Sequence, residues 1–300
     1  MRPRGFLRRR VVDWVARVLA VACLVAALVP LLSILWTAAT LGGPRLLDGW
    51  SFLTGPFAWP CSPNITPNCS YGGIGPALQG TLILVGVAAL IAMPTGILAG
   101  IYVSEFGKNR FGRTLSFLAD VLSGTPSIVV GLFAFATFLY LDPTLVFSTL
   151  AGAFALSVIM LPVVVRTTEE SLRLVPRSVR EGAFSLGIPQ FRTTLRIVLP
   201  TGGAAVVTGA LLATARAAGE AAPLLFTSFG LESQLGFQGL DHPVNAIPPL
   251  IYLWGYGEPY ANWRSDAWGM ALVLILMMLA LSLFARWILA RRANLIGGMS

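Results

Sequence analysis

Residues 202–229 read GGAAVVTGALLATARAAGEAAPLLFTSF, small and apolar throughout except for one arginine, Arg216, and one glutamate, Glu220. At about 1.5 Å per residue such a run crosses about 30 Å of hydrocarbon as a helix. A charge at the centre of a membrane helix costs roughly 2.5–3.5 kcal/mol, so two charges there face protein or a watery path and not lipid. The stretch therefore predicts an α-helical membrane protein and marks where its function should lie.

The rest of the chain extends the same pattern. Apolar runs of spanning length recur at 18–41, 78–103, 115–141, 144–165 and 267–289. Hydrophobic residues make up 56% of the chain and charged residues 11%, with mean hydropathy +0.77, which excludes an ordinary soluble domain. None of the runs alternates as a barrel strand would, so the expected fold is an all-α integral membrane protein with six transmembrane helices. Apart from Arg216, Arg45 and Arg264, every Lys and Arg precedes the first run, follows the second or fourth, or closes the sixth. By the positive-inside rule both termini are expected in the cytoplasm. The net charge of +8 is then a topology signal and requires no nucleic-acid partner. The first apolar run is longer than the core of a secretory signal and reads as a retained anchor.

This divides the chain into a basic arm with the first helix at 1–41, an outer loop at 42–76 and a transmembrane domain at 77–300. Cys61 and Cys69 in the outer loop are a candidate disulfide, with two reduced thiols as the alternative. Cys23 reads as a small packing residue of the first span. A second outer loop, about 230–266, carries an apolar stretch at 244–254 with Pro248-Pro249, followed by Tyr256, Tyr260, Trp263 and Trp268. It is too short and broken to span and reads as an interfacial segment held by an aromatic belt. His242, the single histidine, reads as a loop residue, and no side-chain group has metal-ligand spacing. Gly107-Lys108-Asn109 is the nearest approach to a phosphate-binding loop, but Tyr102 replaces its first glycine and Asn109 its Ser/Thr, so no ATP hydrolysis and no bound cofactor are expected of this chain.

The loop at 166–200 is long for so apolar a protein. Within it 178–186 reads as a short amphipathic helix, with Val179, Ala183, Phe184 and Leu186 as an apolar patch and Arg180 and Glu181 solvated. Gly187 supplies a turn, Pro189 reinforces it, and a second helical piece runs to Pro200. The run Glu181-Gly182-Ala183, then Gly187, then Ile197, Leu199 and Pro200, resembles the EAA signature of ABC importer permeases, with Gly182 in place of the middle alanine. That resemblance implies a coupling helix that docks onto a separate ATPase.

Residues 215–228 (ARAAGEAAPLLFTS), with 122–133 (LSGTPSIVVGLF), resemble the A-type permease family of bacterial high-affinity phosphate ABC importers. The resemblance implies a type I importer permease in the bacterial inner membrane, beside a second related permease. It further implies two ATPase copies and a periplasmic or lipid-anchored phosphate-binding protein. Sulfate or molybdate import, a passive channel and a membrane enzyme are the alternatives. The Arg216 guanidinium suits phosphate oxygens and Glu220 lies one turn away, so the two are either an exchanging counter-ion pair on the pathway or a static buried pair. Ser123, Thr125 and Ser127, around Gly124 and Pro126, read as a helix-disrupting polar cluster lining the path. Asp120 reads as a pathway group, a partner for an arginine on another helix, or a group solvated near an inner vestibule.

Overall fold

The computed structural model describes residues 5–57, 72–230, 236–257 and 260–297; Cys61 and Cys69 lie outside them. Every regular element among these residues is helical. In order they are α1 (Gly5–Leu47), α2 (Trp50–Thr54), α3 (Gly75–Phe106), α4 (Arg110–Ser123), α5 (Ser127–Leu141), α6 (Thr149–Arg173), α7 (Arg177–Ser185), α8 (Gln190–Thr193), α9 (Leu199–Ala218), α10 (Ala222–Leu225), α11 (Ile247–Tyr252) and α12 (Ala261–Gly297). Five helical stretches are long and apolar enough to cross a membrane: α1, α3, α6, residues 190–218 and α12.

The expected third span is not a straight helix. It is the pair α4 and α5, bent by 107° at Gly124-Thr125-Pro126. Pro126 has no amide hydrogen and disfavours helical backbone at Thr125, and its own ψ of 134° turns the chain out of the helix. The fifth span also stops early. α9 ends at Ala218, where Gly219 and Glu220 turn back onto the carbonyls of Arg216 and Ala217, and Pro223 cannot extend the ladder. At its other end the helix does not stop at Pro200. A π turn over Thr194–Val198 joins α8 to α9, and Pro200 sits in the first turn of α9. The first span outruns its expected boundary, with α1 continuing to Leu47 and α2 following within the expected outer loop.

Close packing comes from small residues, as expected where lipid is as apolar as the side chains. α3 and α6 run parallel. A Cβ on Gly96 would lie 2.8 Å from Val164, and one on Gly100 would lie 2.6 Å from Thr168. α9 runs antiparallel to α6, with Gly209 against Thr167 and Gly202 against Leu172. α1 lies antiparallel on the first half of α12, where Gly42 meets Trp268 and Gly269 meets Arg45. The start of α1 and the end of α12 thus fall on the face that carries α7. Residues 9–36 of α1 include no buried residue, and Cys23 is exposed there instead of packing inside.

The 244–254 segment also departs from expectation. Ile247, Pro248, Pro249 and Leu250 of α11 are buried against Phe52, Ile74, Ala77 and Met270. The amide of Ile247 donates to the Thr81 hydroxyl of α3 at 2.9 Å. α11 is therefore a plug in the core, with Tyr252 at its end and Gly255 and Tyr256 just beyond it exposed. Trp254 stacks on Trp263 and meets Phe57 edge-on.

Candidate translocation and coupling sites

The two interrupted spans meet at one depth. The contacts of Gly209 with Thr167 and Gly202 with Leu172 set an antiparallel register that carries Arg216 level with Met160, midway along α6. Ala217 and Ala218 share a core cluster with Met160 and Leu156. On α5, Phe133 and Phe138 both pack on Phe154 of α6, which brings Ser127 to the same level. α5 then meets α10 where a Cβ on Gly131 would stand 2.7 Å from Pro223 Cα. The polar break of α4 and α5 and the charged end of α9 therefore occupy the middle of the bundle, as at the substrate sites of transporters with discontinuous helices.

Within this region Arg216 is not buried among partners. Its side chain is 62% exposed, against 19% for Glu220, and its Nε stands 3.9 Å from Glu220 Oε1, an ion pair without a hydrogen bond. The sequence placed both charges mid-helix; the structure places Arg216 in the last turn of α9 and Glu220 beyond its cap. A cation is favoured beside the free carbonyls of a helix C-terminus. Of the cluster at the break, Ser123 is exposed, Ser127 is half-buried and the Thr125 hydroxyl is returned to the Val121 carbonyl at 3.0 Å. An apolar cavity of about 490 Å³ opens on the other side of α9, lined by Val85, Ala215, Ala218, Met278 and Phe284, a lining unsuited to an anion.

Asp120 is not gathered into this group. It pairs with Arg166 of α6, which also donates to Glu169 at 2.6 Å and to the Ser116 carbonyl at 2.8 Å. Glu169, 3% exposed, holds Arg173 at 2.6 Å as well. The chain Asp120–Arg166–Glu169–Arg173 fastens α4 to α6 on the α7 side of the break. Nothing in the local sequence distinguishes Arg166 from its solvated neighbours.

The opposite face has its own buried arginine. Arg45 donates from Nε to Asp266 Oδ1 at 2.8 Å and from Nη2 to the Gly72 carbonyl at 2.6 Å, pairs with Asp48, and lies over the Phe52 ring at 4.9 Å. Sequence reading passed over this clamp because its partners stand far apart in the chain. Beyond the end of α5, the Thr144 hydroxyl and amide bind Asp142 and hold its carboxyl below the usual range.

The loop at 166–200 forms the short helix expected. α7 buries Ala183 and half-buries Val179, while Phe184 and Leu186 stay exposed with Glu181 and Gly182. Gly187, at φ +76°, makes the turn that L residues avoid. Ile197 and Leu199 are half-buried around the buried Val198, and Pro200 is exposed. Arg180 is not solvated: its guanidinium spans Glu105 of α3 and the carbonyls of Leu172 and Val175. Asn109, on the segment that only superficially looks like a phosphate-binding loop, caps α4 by accepting from the Gly112 amide at 2.8 Å.

Residues 92–293 match the family of binding-protein-dependent transport system inner membrane components. The chain belongs to this family. It is 38% identical over 295 residues to the phosphate transport system permease protein PstA 1 of Mycobacterium tuberculosis, covering 96% of this chain and 92% of that protein. The PstA protein of Yersinia pestis is 38% identical over 287 residues, covering 95% and 92% of the two chains. That of Pasteurella multocida is 43% identical over 216 residues, covering 72% and 75%. Among solved structures, an inward-facing MetNI methionine ABC transporter chain superposes with a TM-score of 0.59 at 15% identity, covering 72% of this chain and 94% of that one. A chain of a bacterial alginate importer superposes at 0.51 and 13% identity, covering 96% and 99%. The bundle is thus the fold of ABC importer permeases, and the family match contains α4 to α11 together with the 166–200 loop.

Proposed function

We propose that this chain is the transmembrane permease subunit of an ATP-driven inorganic phosphate importer and forms half of its translocation path. The observation that carries the reading is the contrast among the arginines. Arg45, Arg166 and Arg180 are held by carboxylates and carbonyls, whereas Arg216, at the depth of the α4–α5 break, makes no hydrogen bond among the described residues and has only a loose counter-ion. A guanidinium so placed is available to two phosphate oxygens at once. Glu220 neutralises Arg216 between substrates and yields it to the passing anion, which prevents permanent trapping. Ser123, Thr125 and Ser127 supply hydroxyls along the path, and the identity to phosphate permeases over nearly the whole chain supports phosphate as the cargo.

The remaining assembly follows from the same reading. A second related permease completes the path, an ATPase dimer docks on the exposed face of α7 at Glu181, Gly182 and Phe184 while buried Ala183 seats the helix on this chain, and a periplasmic or lipid-anchored phosphate-binding protein delivers substrate on the opposite face. Both termini and α7 face the cytoplasm of a bacterial cell whose inner membrane holds the complex, because the basic residues gather on that face. Driving one negative charge into an inside-negative cell costs about 2.3 kcal/mol per 100 mV before any gradient, so a passive pore would leak phosphate outward.

Phosphate uptake by cells lacking the chain and supplied with variants is the test. Arg216→Lys loses the two-pronged contact and should lower uptake on the order of 10- to 100-fold with normal membrane levels. Glu220→Gln should alter the rate while leaving assembly intact. Full transport in both variants removes the proposed role of the pair, and competition by sulfate or molybdate as strong as by phosphate reassigns the cargo.

A further inference from the structure

Arg180 and Glu105 are seventy-five positions apart in the chain and meet in a two-pronged contact. Nη2 to Oε1 is 2.7 Å and Nε to Oε2 is 3.3 Å. The Glu105 side chain is 6% exposed and that of Arg180 is 18% exposed, so water screens the pair little. The same guanidinium donates to the carbonyls of Leu172 at 2.8 Å and Val175 at 2.5 Å, at the end of α6, where carbonyls lack helical partners. Gln190 of α8 donates to the Glu105 carbonyl at 2.7 Å from the other side. One side chain on α7 therefore ties together the ends of α3 and α6, the two helices that pack through Gly96 and Gly100 in the core.

We propose that Arg180 and Glu105 act as positioning residues, a strut through which force on α7 reaches the α3–α6 pair and so moves it against the broken spans. The inference rests on α7 being the ATPase-docking helix of the proposed function. Without the strut, α7 would be held by the Leu174–Pro176 turn, the Gly187 turn and the packing of Val179 and Ala183, none of which reaches α3 by a directional contact, and a push on it would pass less completely to α3. With it, α3, α6 and α7 form one body, while the α4–α5 break and the Gly219 end of α9 are the joints. The two oxygens of one carboxylate set the angle of α7 as well as its position.

The purified complex in phosphate-loaded vesicles tests this by the phosphate moved per ATP hydrolysed. Glu105→Gln should leave ATP hydrolysis near the wild-type rate and lower phosphate moved per ATP on the order of tenfold, with Glu105→Asp recovering part of the loss. An unchanged ratio in Glu105→Gln overturns the strut. Spin labels at exposed Ser178 of α7 and Leu98 of α3 give a second reading that needs no change in the pair. Their separation should stay constant between the nucleotide-free and ATP-bound complex, and a nucleotide-dependent change overturns the proposal even where Glu105→Gln fails to accumulate. Gly182→Cys, at a position with no neighbour within 4 Å of an added Cβ, should cross-link to the ATPase. If no cross-link forms, α7 is not the docking helix, while the label separation still reports whether α7 and α3 move as one.

Discussion

Single residues divide here by whether a partner is waiting. Gly131 has none to spare: a side chain there enters the space of Pro223 backbone, so Gly131→Leu should destabilise the protein by about 1–3 kcal/mol, read as a lower melting temperature in detergent. Gly182, where the EAA signature has alanine, has open space around it and sits inside α7. Gly182→Ala should therefore raise stability by about 0.5–1 kcal/mol, read as a higher melting temperature in detergent. At the Arg45 clamp, Asp266→Asn removes the buried one of the guanidinium's two carboxylates, leaving half-exposed Asp48, and should cost about 1–3 kcal/mol. Replacing both, as Arg45→Met with Asp266→Leu, should recover most of that loss, since no buried charge is then left alone.

At the scale of elements, the informative features are interruptions. The break at Gly124-Thr125-Pro126 was legible as residues, because Gly and Pro act locally. Its common depth with the early end of α9 was not, because that is set by the register of α5 and α9 on α6. α11 makes the same point in reverse. Its aromatic surroundings read as an interfacial belt, yet Thr81 receives the Ile247 amide and draws the segment into the core. Thr81→Val leaves that buried amide without an acceptor, so it should cost about 1–3 kcal/mol and expose Trp254, checked by quenching of tryptophan fluorescence. The 166–200 loop was legible in outline, since amphipathic spacing and Gly187 are local. The burial of Arg180 was missed because Glu105 lies on another helix.

For the whole molecule, the antiparallel pairing of α1 with α12 places the start of α1 and the end of α12 on the α7 face, which the proposed topology puts in the cytoplasm. Cysteines introduced at Ser178 and at Leu240 check the assignment. The first should react with an impermeant reagent only after permeabilisation, the second in intact spheroplasts; the reverse pattern inverts the topology. The bare apolar surface of α1 is long enough to face lipid or a neighbouring subunit. By itself the chain's order of residues determined the all-helical membrane fold, the gathering of basic residues in alternate loops, the short amphipathic helix within 166–200 and the pair of charges within the fifth apolar run. These depend on hydropathy, charge and spacing within short stretches. Tertiary structure alone decided that Arg45, Arg166 and Arg180 are held by several partners while Arg216 keeps only a loose one, and that two broken helices end at one depth. Charge compensation joins side chains that only folding brings together, as Arg45 with Asp266 across 221 positions and Arg180 with Glu105 across 75.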